Sequence, residues 1–325
     1  MVFNNPQNKS LKDGSVLPRL FALLVISITM ITDVSVAFDR FTAHGGPVRH
    51  LTHSPDGRYV VSASFDYSAV VWRAEDLTEL STLLGHEAAL NIAEFSDDGK
   101  YLATGGDDGL VLLWKVDQIL ADNAEPIILN GHRGKIVDLS FSEDGKWLVS
   151  ASWDGAIGVW PLAGSNDDIQ NNMRFLLGHD GPVNAVQFSR DKKHLYSSGY
   201  DGQIRYWIVE TGEYVRSIVR NGWGVSGFVV DEAEDFVAFG SSDGTMTVER
   251  VSTQEQLFKI GDERTPVLSL HYNSSAKLLG FGTAKGRVLL ADTSDWTIVR
   301  DFHASNGPVW SLLIMPAGQC SHKGT

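Results

Sequence analysis

Four histidines and four aspartates recur in this sequence at a fixed distance, and these residue types can bind a metal or transfer protons. Each aspartate follows its histidine by 22 residues. The four pairs are His44 and Asp66, His86 and Asp108, His132 and Asp154, and His179 and Asp201. Because successive pairs are separated by 42 to 47 residues, we expect one pair in each of four separate units, far from the others in space. The sequence therefore predicts structural pairs and no metal site.

Other patterns that carry chemistry are absent from the sequence. It contains no Gly-x-Ser-x-Gly, His-Glu-x-x-His or phosphate-binding glycine motif. Three pairs of adjacent carboxylates fall in predicted turns or loops: Asp97-Asp98, Asp107-Asp108 and Asp167-Asp168. Apart from Asp108, these carboxylates are interpreted as solvated surface. We therefore predict no catalytic residues, no cofactor and no enzymatic activity.

The charge balance and the single cysteine exclude further classes of protein. Among 325 residues, 40 are acidic and 27 are basic, which gives a formal net charge of −13. Such a surface repels phosphate backbones, so nucleic acid is not an expected partner. Cys320 is the only cysteine, so neither an intrachain disulfide nor a multi-cysteine metal site can form. Apolar residues at 43% and charged residues at 21% are typical of a folded globular chain.

The histidine–aspartate pairs belong to an internal repeat. Asp66, Asp108, Asp154, Asp201 and Asp243 follow one another at intervals of 42, 46, 47 and 42 residues. A tryptophan stands six residues after each of the first four aspartates: Trp72, Trp114, Trp160 and Trp207. Two fixed internal spacings in four copies indicate one structural unit repeated along the chain.

Each unit has the pattern of four short β-strands. In the first unit, an apolar run at 48–53 is followed by turn residues at 54–57 and a second run at 59–62. A tight turn at Asp66 leads to a third run at 69–72. Short runs separated by Gly and Asp turns predict antiparallel hairpins. A fourth strand then leads to the next histidine, and a four-stranded unit of this length has the size of one β-propeller blade.

These residues resemble the WD-repeat (WD40) family, whose blades carry Gly-His near the start and Trp-Asp near the end. Glycine precedes His86, His132 and His179, but no tryptophan of the four is followed by aspartate. The resemblance implies an all-β, seven-bladed propeller, with a hydrogen-bond network in which a His, a hydroxyl and a Trp satisfy a buried Asp. The network positions are His44, Ser62, Asp66, Trp72; His86, Thr104, Asp108, Trp114; His132, Ser150, Asp154, Trp160; and His179, Ser197, Asp201, Trp207.

Two further units keep the spacing and lose the network. Around Asp243, the equivalent positions hold Asn221, Phe239 and Glu249. The sixth unit has Glu263, Phe281, Lys285 and Ala291 at the four network positions. We therefore expect apolar packing to hold these two blades.

A seventh unit begins at His303 and stops short. Residues 307–310 copy the start of the first unit, but no apolar second strand follows Gly318. The resemblance implies that an N-terminal strand at 38–42 supplies the outer strand of the last blade. We expect a propeller over residues 38–318 with about six and a half blades, in which residues 38–42 lack a neighbouring strand. Residues 319–325 are interpreted as an irregular tail that arose by truncation or frameshift.

The first 37 residues differ in kind from the rest. They contain basic residues at Lys9, Lys12 and Arg19, an apolar run at 20–31, and small residues at Ser35 and Ala37. This order is typical of a secretory signal peptide, and the apolar run is short for a membrane span. We predict a signal peptide over residues 1–37 and an exported protein, periplasmic or secreted. An uncleaved membrane anchor at 20–31 and a buried N-terminal helix are the alternatives.

The resemblance also implies a docking face for a protein or peptide. In similar propellers, partners bind the residue before each turn aspartate and the residues that flank the start of each first strand. Here these positions are Arg49, Phe65, Asn91, Asp107, Lys135, Val137, Trp153, Asn184, Tyr200 and Trp310. Phe65, Trp153 and Tyr200 are predicted to be exposed aromatic anchors. The function predicted is therefore a non-catalytic binding scaffold.

Two other function classes stay open. Some exported bacterial members of the family join a propeller to a c-type cytochrome domain, which would make this chain the propeller portion of a redox protein. Cys320 and His322 do not form the Cys-x-x-Cys-His motif that holds such a haem. A propeller hydrolase would need a cluster of acid and base residues, which the sequence does not show.

Overall fold

Antiparallel β-sheets dominate the structure. The computed structural model describes residues 23–29, 33–39, 43–261 and 265–315. Over these residues the strands form six four-stranded sheets and one three-stranded sheet. The prediction of an all-β propeller is confirmed, and each four-stranded sheet is one blade.

The strand bounds follow the repeat units. An N-terminal pair consists of β1 (Leu23–Thr29) and β2 (Asp33–Asp39). The first blade contains β3 (Val48–His53), β4 (Tyr59–Ser64), β5 (Ala69–Arg73) and β6 (Glu79–Leu83). The second contains β7 (Leu90–Phe95), β8 (Tyr101–Gly106), β9 (Val111–Lys115) and β10 (Ile127–Leu129). The third contains β11 (Ile136–Phe141), β12 (Trp147–Ser152), β13 (Ala156–Pro161) and β14 (Arg174–Leu177).

The remaining blades repeat this order. The fourth contains β15 (Val183–Phe188), β16 (His194–Gly199), β17 (Gln203–Ile208) and β18 (Tyr214–Arg220). The fifth contains β19 (Val225–Val230), β20 (Phe236–Ser241), β21 (Met246–Arg250) and β22 (Gln256–Ile260). The sixth contains β23 (Val267–Asn273), β24 (Leu278–Thr283), β25 (Arg287–Asp292) and β26 (Ile298–His303). A last strand, β27, spans Leu313–Met315.

Within the described ranges, two short helices interrupt the β pattern, which the sequence did not predict. Helix α1 (Val116–Leu120) precedes β10, and helix α2 (Asn166–Asn171) precedes β14. The Ser165 side chain caps α2 by accepting a hydrogen bond from the Asp168 amide. These insertions lie within the two longest intervals of the repeat, 46 and 47 residues. They lengthen the link to an outer strand and leave the blade itself unchanged.

The middle strands of each blade are buried on both faces because neighbouring blades pack against them. In β4 every residue from Val60 to Ser64 is buried, whereas β6 is largely accessible. One apolar cluster joins Val61 and Val71 of the first blade to Leu90 and Leu102 of the second. Burial on both faces explains why the second and third strands read as continuous apolar runs.

The first strands of adjacent blades contact one another and surround a central channel. In all six, the pairing with the second strand shifts by one residue directly after the first position. A bulge of this kind turns a side chain out of the regular alternation. The residues left unpaired are Arg49, Asn91, Val137, Asn184, Ser226 and Leu268. Four of the ten predicted docking residues are therefore bulge residues.

The three-stranded sheet brings together strands from the two ends of the described chain. Strand β1 pairs antiparallel with β2 and parallel with β27, so the order is β2-β1-β27. Phe38 pairs with Leu24, and Val25 pairs with Leu313. Strand β2 thus lies at an edge of this sheet; it includes Phe38 and Asp39 of the strand expected at 38–42, whose other residues lie outside the described ranges.

The expectation of seven blades with the seventh truncated is wrong, because the described residues form six four-stranded blades. The expectation that residues 38–42 lack a neighbour is also wrong for Phe38, which pairs with β1. The sixth blade does not expose its apolar face: Val309, Leu312 and Ile314 pack against it. The physical reason is that β1 pairs with the open edge of β27, which would otherwise leave backbone groups unpaired. The predicted tail at 319–325 lies outside the described residues.

Residues 23–29 form a strand and not the buried N-terminal helix that was one of the alternatives. In the described ranges, no helix is long and apolar enough to cross a membrane. The signal peptide predicted over residues 1–37 stays a prediction.

The predicted network forms in the first four blades as a chain of hydrogen bonds. In the third blade, the Trp160 indole donates to the Ser150 hydroxyl at 3.0 Å, and that hydroxyl lies 2.9 Å from His132 Nε2. His132 Nδ1 in turn lies 2.9 Å from an Asp154 carboxylate oxygen. The same links span 2.7 to 3.1 Å in the other three blades. The sequence-based expectation that all three side chains bind the carboxylate is wrong: only the imidazole does, and the indole acts through the hydroxyl.

Backbone amides complete the shell around each aspartate. Asp154 accepts from the amides of Arg133 and Ala156 as well as from His132. Burial raises the pKa of Asp154, but these hydrogen bonds outweigh it and leave the pKa lowered. Burial lowers the pKa of His132 despite the attraction of Asp154, so the imidazole is neutral at pH 7. It then donates through Nδ1 and accepts from the Ser150 hydroxyl through Nε2.

The fifth blade lacks this chain, as predicted. Asn221 stands in the histidine position and donates to the Ser241 hydroxyl at 2.7 Å. Asp243 accepts from the amide and hydroxyl of Thr245, within its own turn. Phe239 packs in an apolar cluster between the fourth and fifth blades, and Val267 packs in another between the fifth and sixth blades. Packing therefore replaces the polar chain in this part of the ring.

Replacing Asp154 with alanine should lower the free energy of unfolding by roughly 3 kcal/mol, because it leaves one imidazole and two amide donors without their acceptor. The difference from wild type should begin to shrink below about pH 4, the ordinary pKa of an aspartate, and it should be lost once the pH passes through the lowered pKa of Asp154 in the folded protein. Urea unfolding followed by circular dichroism measures both effects. Asp167→Ala, an exposed substitution in α2, is the matched control and should stay within about 0.5 kcal/mol of wild type. Equal stability of the two variants would contradict the network's role.

Candidate functional site

One end of the propeller is formed by two loops from each blade, and we call it the upper face. A hydrogen bond between backbone groups joins the loop before the first strand to the turn between the second and third strands. In the first blade the Phe65 amide donates to the Pro47 carbonyl, and in the third the Trp153 amide donates to the Lys135 carbonyl. The Tyr200 amide donates to the Pro182 carbonyl in the fourth. These bonds fix the backbone of the predicted docking residues.

Three aromatic side chains project from this face as predicted. The exposed fractions are 37% for Phe65, 49% for Trp153 and 67% for Tyr200. Each precedes a network aspartate, so the aspartate turns inward and its neighbour turns outward. The Lys135 ammonium lies 3.6 Å from the centre of the Trp153 ring, a cation–π contact across the two loops. Large aromatics held on a fixed backbone are suited to binding a partner.

Trp223 is a further exposed aromatic on this face, which the sequence reasoning missed. Its exposed fraction is 59%. The adjacent Gly224 lies against Tyr200: a Cβ on that glycine would come within 3.3 Å of the Tyr200 ring. Trp223 and Tyr200 are therefore neighbours. The sequence did carry a signal for this residue. Trp223 stands two residues after Asn221, and Gly46 and Gly134 stand two residues after their network histidines.

In the first and third blades the glycine at this position packs against the turn of the network aspartate, whereas the second blade keeps the network with Ala88 there. A Cβ on Gly46 would approach the Asp66 amide to 2.9 Å, and a Cβ on Gly134 would approach the Asp154 amide to 2.7 Å. Such distances do not occur without a backbone shift. The loop of the fifth blade is free of the histidine–aspartate bond and accommodates Trp223.

The remaining predicted docking residues form a polar centre around the channel. Asn91 is buried, and its amide donates to the Ile136 carbonyl of the next blade and to Asp107. The Asn184 amide likewise donates to the Val225 carbonyl. Assigning Asn91 to a partner contact is therefore a mistake: its hydrogen-bonding groups link two blades.

Other members of the set are partly accessible. The Arg49 guanidinium lies 4.5 Å from the Trp310 ring centre and donates to the Trp310 carbonyl at 3.3 Å. This contact joins the first blade to the residues before β27, so it helps to close the ring. Val137 packs against an apolar cluster between the third and fourth blades. Arg49, Val137 and Trp310 all line the upper part of the channel.

The channel contains ionisable side chains that no motif indicated. Arg49, His50, Glu94, Asp138 and His271 all line a cavity of about 360 Å³. Burial raises the pKa of Glu94 to about 8, with Asp138 adding repulsion, and burial raises the pKa of Asp138 to about 7. Burial lowers the pKa of His50 to about 3 and that of His271 to about 4. Both imidazoles are therefore neutral at pH 7, and Arg49 stays charged although burial lowers its pKa to about 10.

Metal binding was not expected, and the network histidines each bond to their own aspartate. Within the residues that the structure describes, no three His, Cys, Asp or Glu side chains are placed so that they could hold a metal ion. Cys320 and His322, which bear on the haem alternative, lie outside those residues.

Family comparisons match the repeat units found above. The family described as "WD domain, G-beta repeat" matches residues 36–73, 77–115, 125–161 and 170–207. The family described as "Anaphase-promoting complex subunit 4 WD40 domain" matches residues 231–315. The first family therefore covers the four blades that carry the network. The second covers the sixth blade and most of the fifth.

Similar curated proteins share single segments with this chain. A probable cytosolic iron-sulfur protein assembly protein CIAO1 homolog from Caenorhabditis elegans is 42% identical over 77 residues, which is 23% of this chain and 23% of that protein. A subunit of chromatin assembly factor 1 from Gallus gallus is 38% identical over 74 residues, 20% of this chain and 13% of that protein. WD repeat and HMG-box DNA-binding protein 1 from Xenopus laevis is 30% identical over 89 residues, 27% of this chain and 8% of that protein.

The matched segments span less than a quarter of each of these three relatives. All three organisms are eukaryotes, and the comparisons do not show the bacterial exported origin or the cytochrome domain that the sequence suggested. They agree with the structure on the repeat and on its fold. The chain is a β-propeller built of WD40 repeats.

Proposed function

We propose that this propeller is a non-catalytic scaffold that binds a protein or peptide on its upper face. The observation that carries the proposal is the exposure of Trp153, Tyr200 and Trp223 on a backbone fixed by hydrogen bonds. Large apolar side chains in water are unfavourable unless a partner covers them. Because the loops are already ordered, a partner would lose little free energy in organising them.

The arrangement of these aromatics favours a contact that is centred on the third, fourth and fifth blades. Tyr200 and Trp223 adjoin each other, and Trp153 precedes the network aspartate of the third blade. Lys135 beside Trp153 adds a positive charge to an otherwise acidic protein. An aromatic patch with a polar centre is the usual composition of a protein-binding surface. The net charge of −13 disfavours a nucleic acid in the same place.

The names of similar proteins agree with a role in assemblies. One relative belongs to chromatin assembly factor 1, and another is an iron-sulfur protein assembly protein homolog. They share about a fifth of this chain, so their partners are not transferred to it. What supports the proposal is the shared repeat together with the exposed upper face.

Replacing Trp153 or Tyr200 with alanine should weaken partner capture about 30-fold or more, because truncating an interface anchor costs about 2 kcal/mol. Thermal stability should hardly change, since both side chains are exposed. Immobilised protein and extract from the source organism, followed by quantitative mass spectrometry, would measure capture. Ile128→Ala is the matched control, an exposed apolar residue on an outer strand. Unfolding of Trp153→Ala would place that residue in the core and remove the docking face.

We also propose, from the sequence, that the protein is exported. Its support is the basic start, the apolar run at 20–31 and the small residues at Ser35 and Ala37. Cleavage after Ala37 would remove β1 and leave only Phe38 and Asp39 of β2. Strand β27 would then lose its partner, so a cleaved molecule could not form the three-stranded sheet.

Expression in an exporting host should therefore give a mature chain that begins at or near Phe38. N-terminal sequencing of the exported fraction measures this directly. Cleaved chain should melt at a lower temperature than chain that retains residues 1–37, because the edge of β27 is open. Recovery of intact Met1 in the soluble cytosol would contradict export.

A further inference from the structure

The end of the propeller opposite to the upper face has a wide depression, which we call the lower mouth. It is formed where the first strands end and turn into the second strands. Its volume is about 920 Å³. Glu94, Phe95 and Asp97 line both this depression and the channel, so the two spaces adjoin at these residues. The lower end of the channel therefore lies beside the lower mouth.

The lower mouth combines apolar walls with carboxylates. Phe95, Phe141 and Phe188 end the first strands of three successive blades and line it. Its lining includes one arginine, Arg190, and six acidic residues: Glu94, Asp97, Glu143, Asp231, Glu232 and Glu234. Burial raises the pKa of Asp97, and Glu143 and Asp98 raise it further by repulsion. Lys192 pairs with Glu143 at 2.8 Å and partly offsets the repulsion at Asp97, whose pKa is still raised.

His50 is a second and independent sign of a ligand in the channel. Its side chain is enclosed by protein and lines the cavity. One ring nitrogen, Nδ1, is buried without a hydrogen-bond partner, and the ring makes its bond to the Ala93 carbonyl. A bond to a carbonyl requires an N–H, so Nε2 carries the proton and Nδ1 is an acceptor. A buried acceptor without a donor is unfavourable and is expected to have one in the functional state.

Glu94 lies further along the channel, where it meets the lower mouth. Its carboxyl group bonds to Thr52, which follows His50 by two residues on the same side of β3. Asp138 on β11 repels it. Arg49 attracts Asp138 but stacks on Trp310 at the upper end. The channel wall below Arg49 is therefore rich in acceptors.

We propose that the lower mouth binds a basic segment of a partner polypeptide, with one arginine or lysine side chain entering the channel to donate to Glu94 and His50. The aliphatic stem would lie among Phe95, Phe141 and Phe188, and a neighbouring basic group would pair with Asp97. A guanidinium or ammonium group offers donors only, which matches a wall of acceptors. An anionic ligand would meet repulsion from every carboxylate. This site is separate from the upper face and does not depend on the function proposed for it.

Triarginine amide is the probe, and the same peptide with citrulline in place of arginine is the uncharged control. Calorimetry at low salt should show binding of triarginine and at least tenfold weaker binding of the citrulline peptide. Absence of triarginine binding at pH 8.5 would overturn the proposal and mean that the channel holds water only.

Two variants locate the bound group. Glu94→Gln removes the charge and keeps the shape, and it should weaken binding at least tenfold. Gly227→Leu fills the channel without a change of charge: a Cβ there meets only Leu270, at 3.8 Å. It should also weaken binding at least tenfold, which keeps the test valid if Glu94→Gln fails to fold.

Matched controls separate this site from general attraction and from the upper face. Glu125→Gln removes one exposed carboxylate outside the lower mouth and should change triarginine affinity less than twofold. Trp153→Ala should leave triarginine affinity unchanged even if it abolishes partner capture. Equal affinity of wild type, Glu94→Gln and Gly227→Leu would show surface attraction only and overturn the proposal.

The pH dependence gives an independent readout. Burial raises the pKa of Glu94 to about 8, and a bound cation favours its charged form, so binding at pH 7 should release protons. Affinity should rise between pH 6.5 and 9 in wild type and rise less in Glu94→Gln. The other ionisable groups that face the channel are Arg49, His50, His53, Asp97, Asp138 and His271. A pH profile that is identical in both proteins would contradict the assignment to Glu94.

Discussion

A partly buried carboxylate must be fully hydrogen-bonded, and this requirement organises the first four blades. In each of them one aspartate accepts from an imidazole and from backbone amides of two loops. The histidine is oriented by a hydroxyl, and the hydroxyl by a tryptophan indole. A chain of four groups thus runs from the blade interior to its upper loops. Removing any member leaves buried polar groups unsatisfied, which is why the spacing is kept so strictly.

The same chain determines what the upper face presents. The aspartate turns inward, so the residue before it turns outward, and three of these residues are large aromatics. Where the chain is absent, in the fifth blade, Trp223 stands at the position that is glycine in the first and third blades. Adjacent residues therefore differ in role: Asp154 stabilises the upper loops, and Trp153 belongs to the proposed docking face. The lower mouth is built differently: the ends of the first strands form it, and its carboxylates outnumber the basic side chains beside them.

The blades and the network could be predicted because their signals are local and periodic. The spacing of His132, Asp154 and Trp160 is visible in any one unit and recurs in four. The channel could not be predicted, because Glu94, Asp138 and His271 come from three blades that only the closed ring brings together. The N-terminal strand was missed because an apolar run such as 20–31 fits a signal peptide as well as a buried strand. Trp223 was missed because it lies two residues before β19, beyond the positions directly flanking a first strand, and precedes no turn aspartate.

The central claim is that the aspartates hold the upper loops, and hydrogen exchange at single amides tests it most directly. The amides of Gly45, Glu87, Arg133 and Asp180 donate to the network aspartates although they lie in exposed loops. We predict exchange at these four that is about 100-fold or more slower than in an unfolded chain. Gly222, the counterpart in the fifth blade, should exchange rapidly, because Asp243 is bonded within its own turn. Rapid exchange at all five amides, or equal protection of Gly222, would contradict the account.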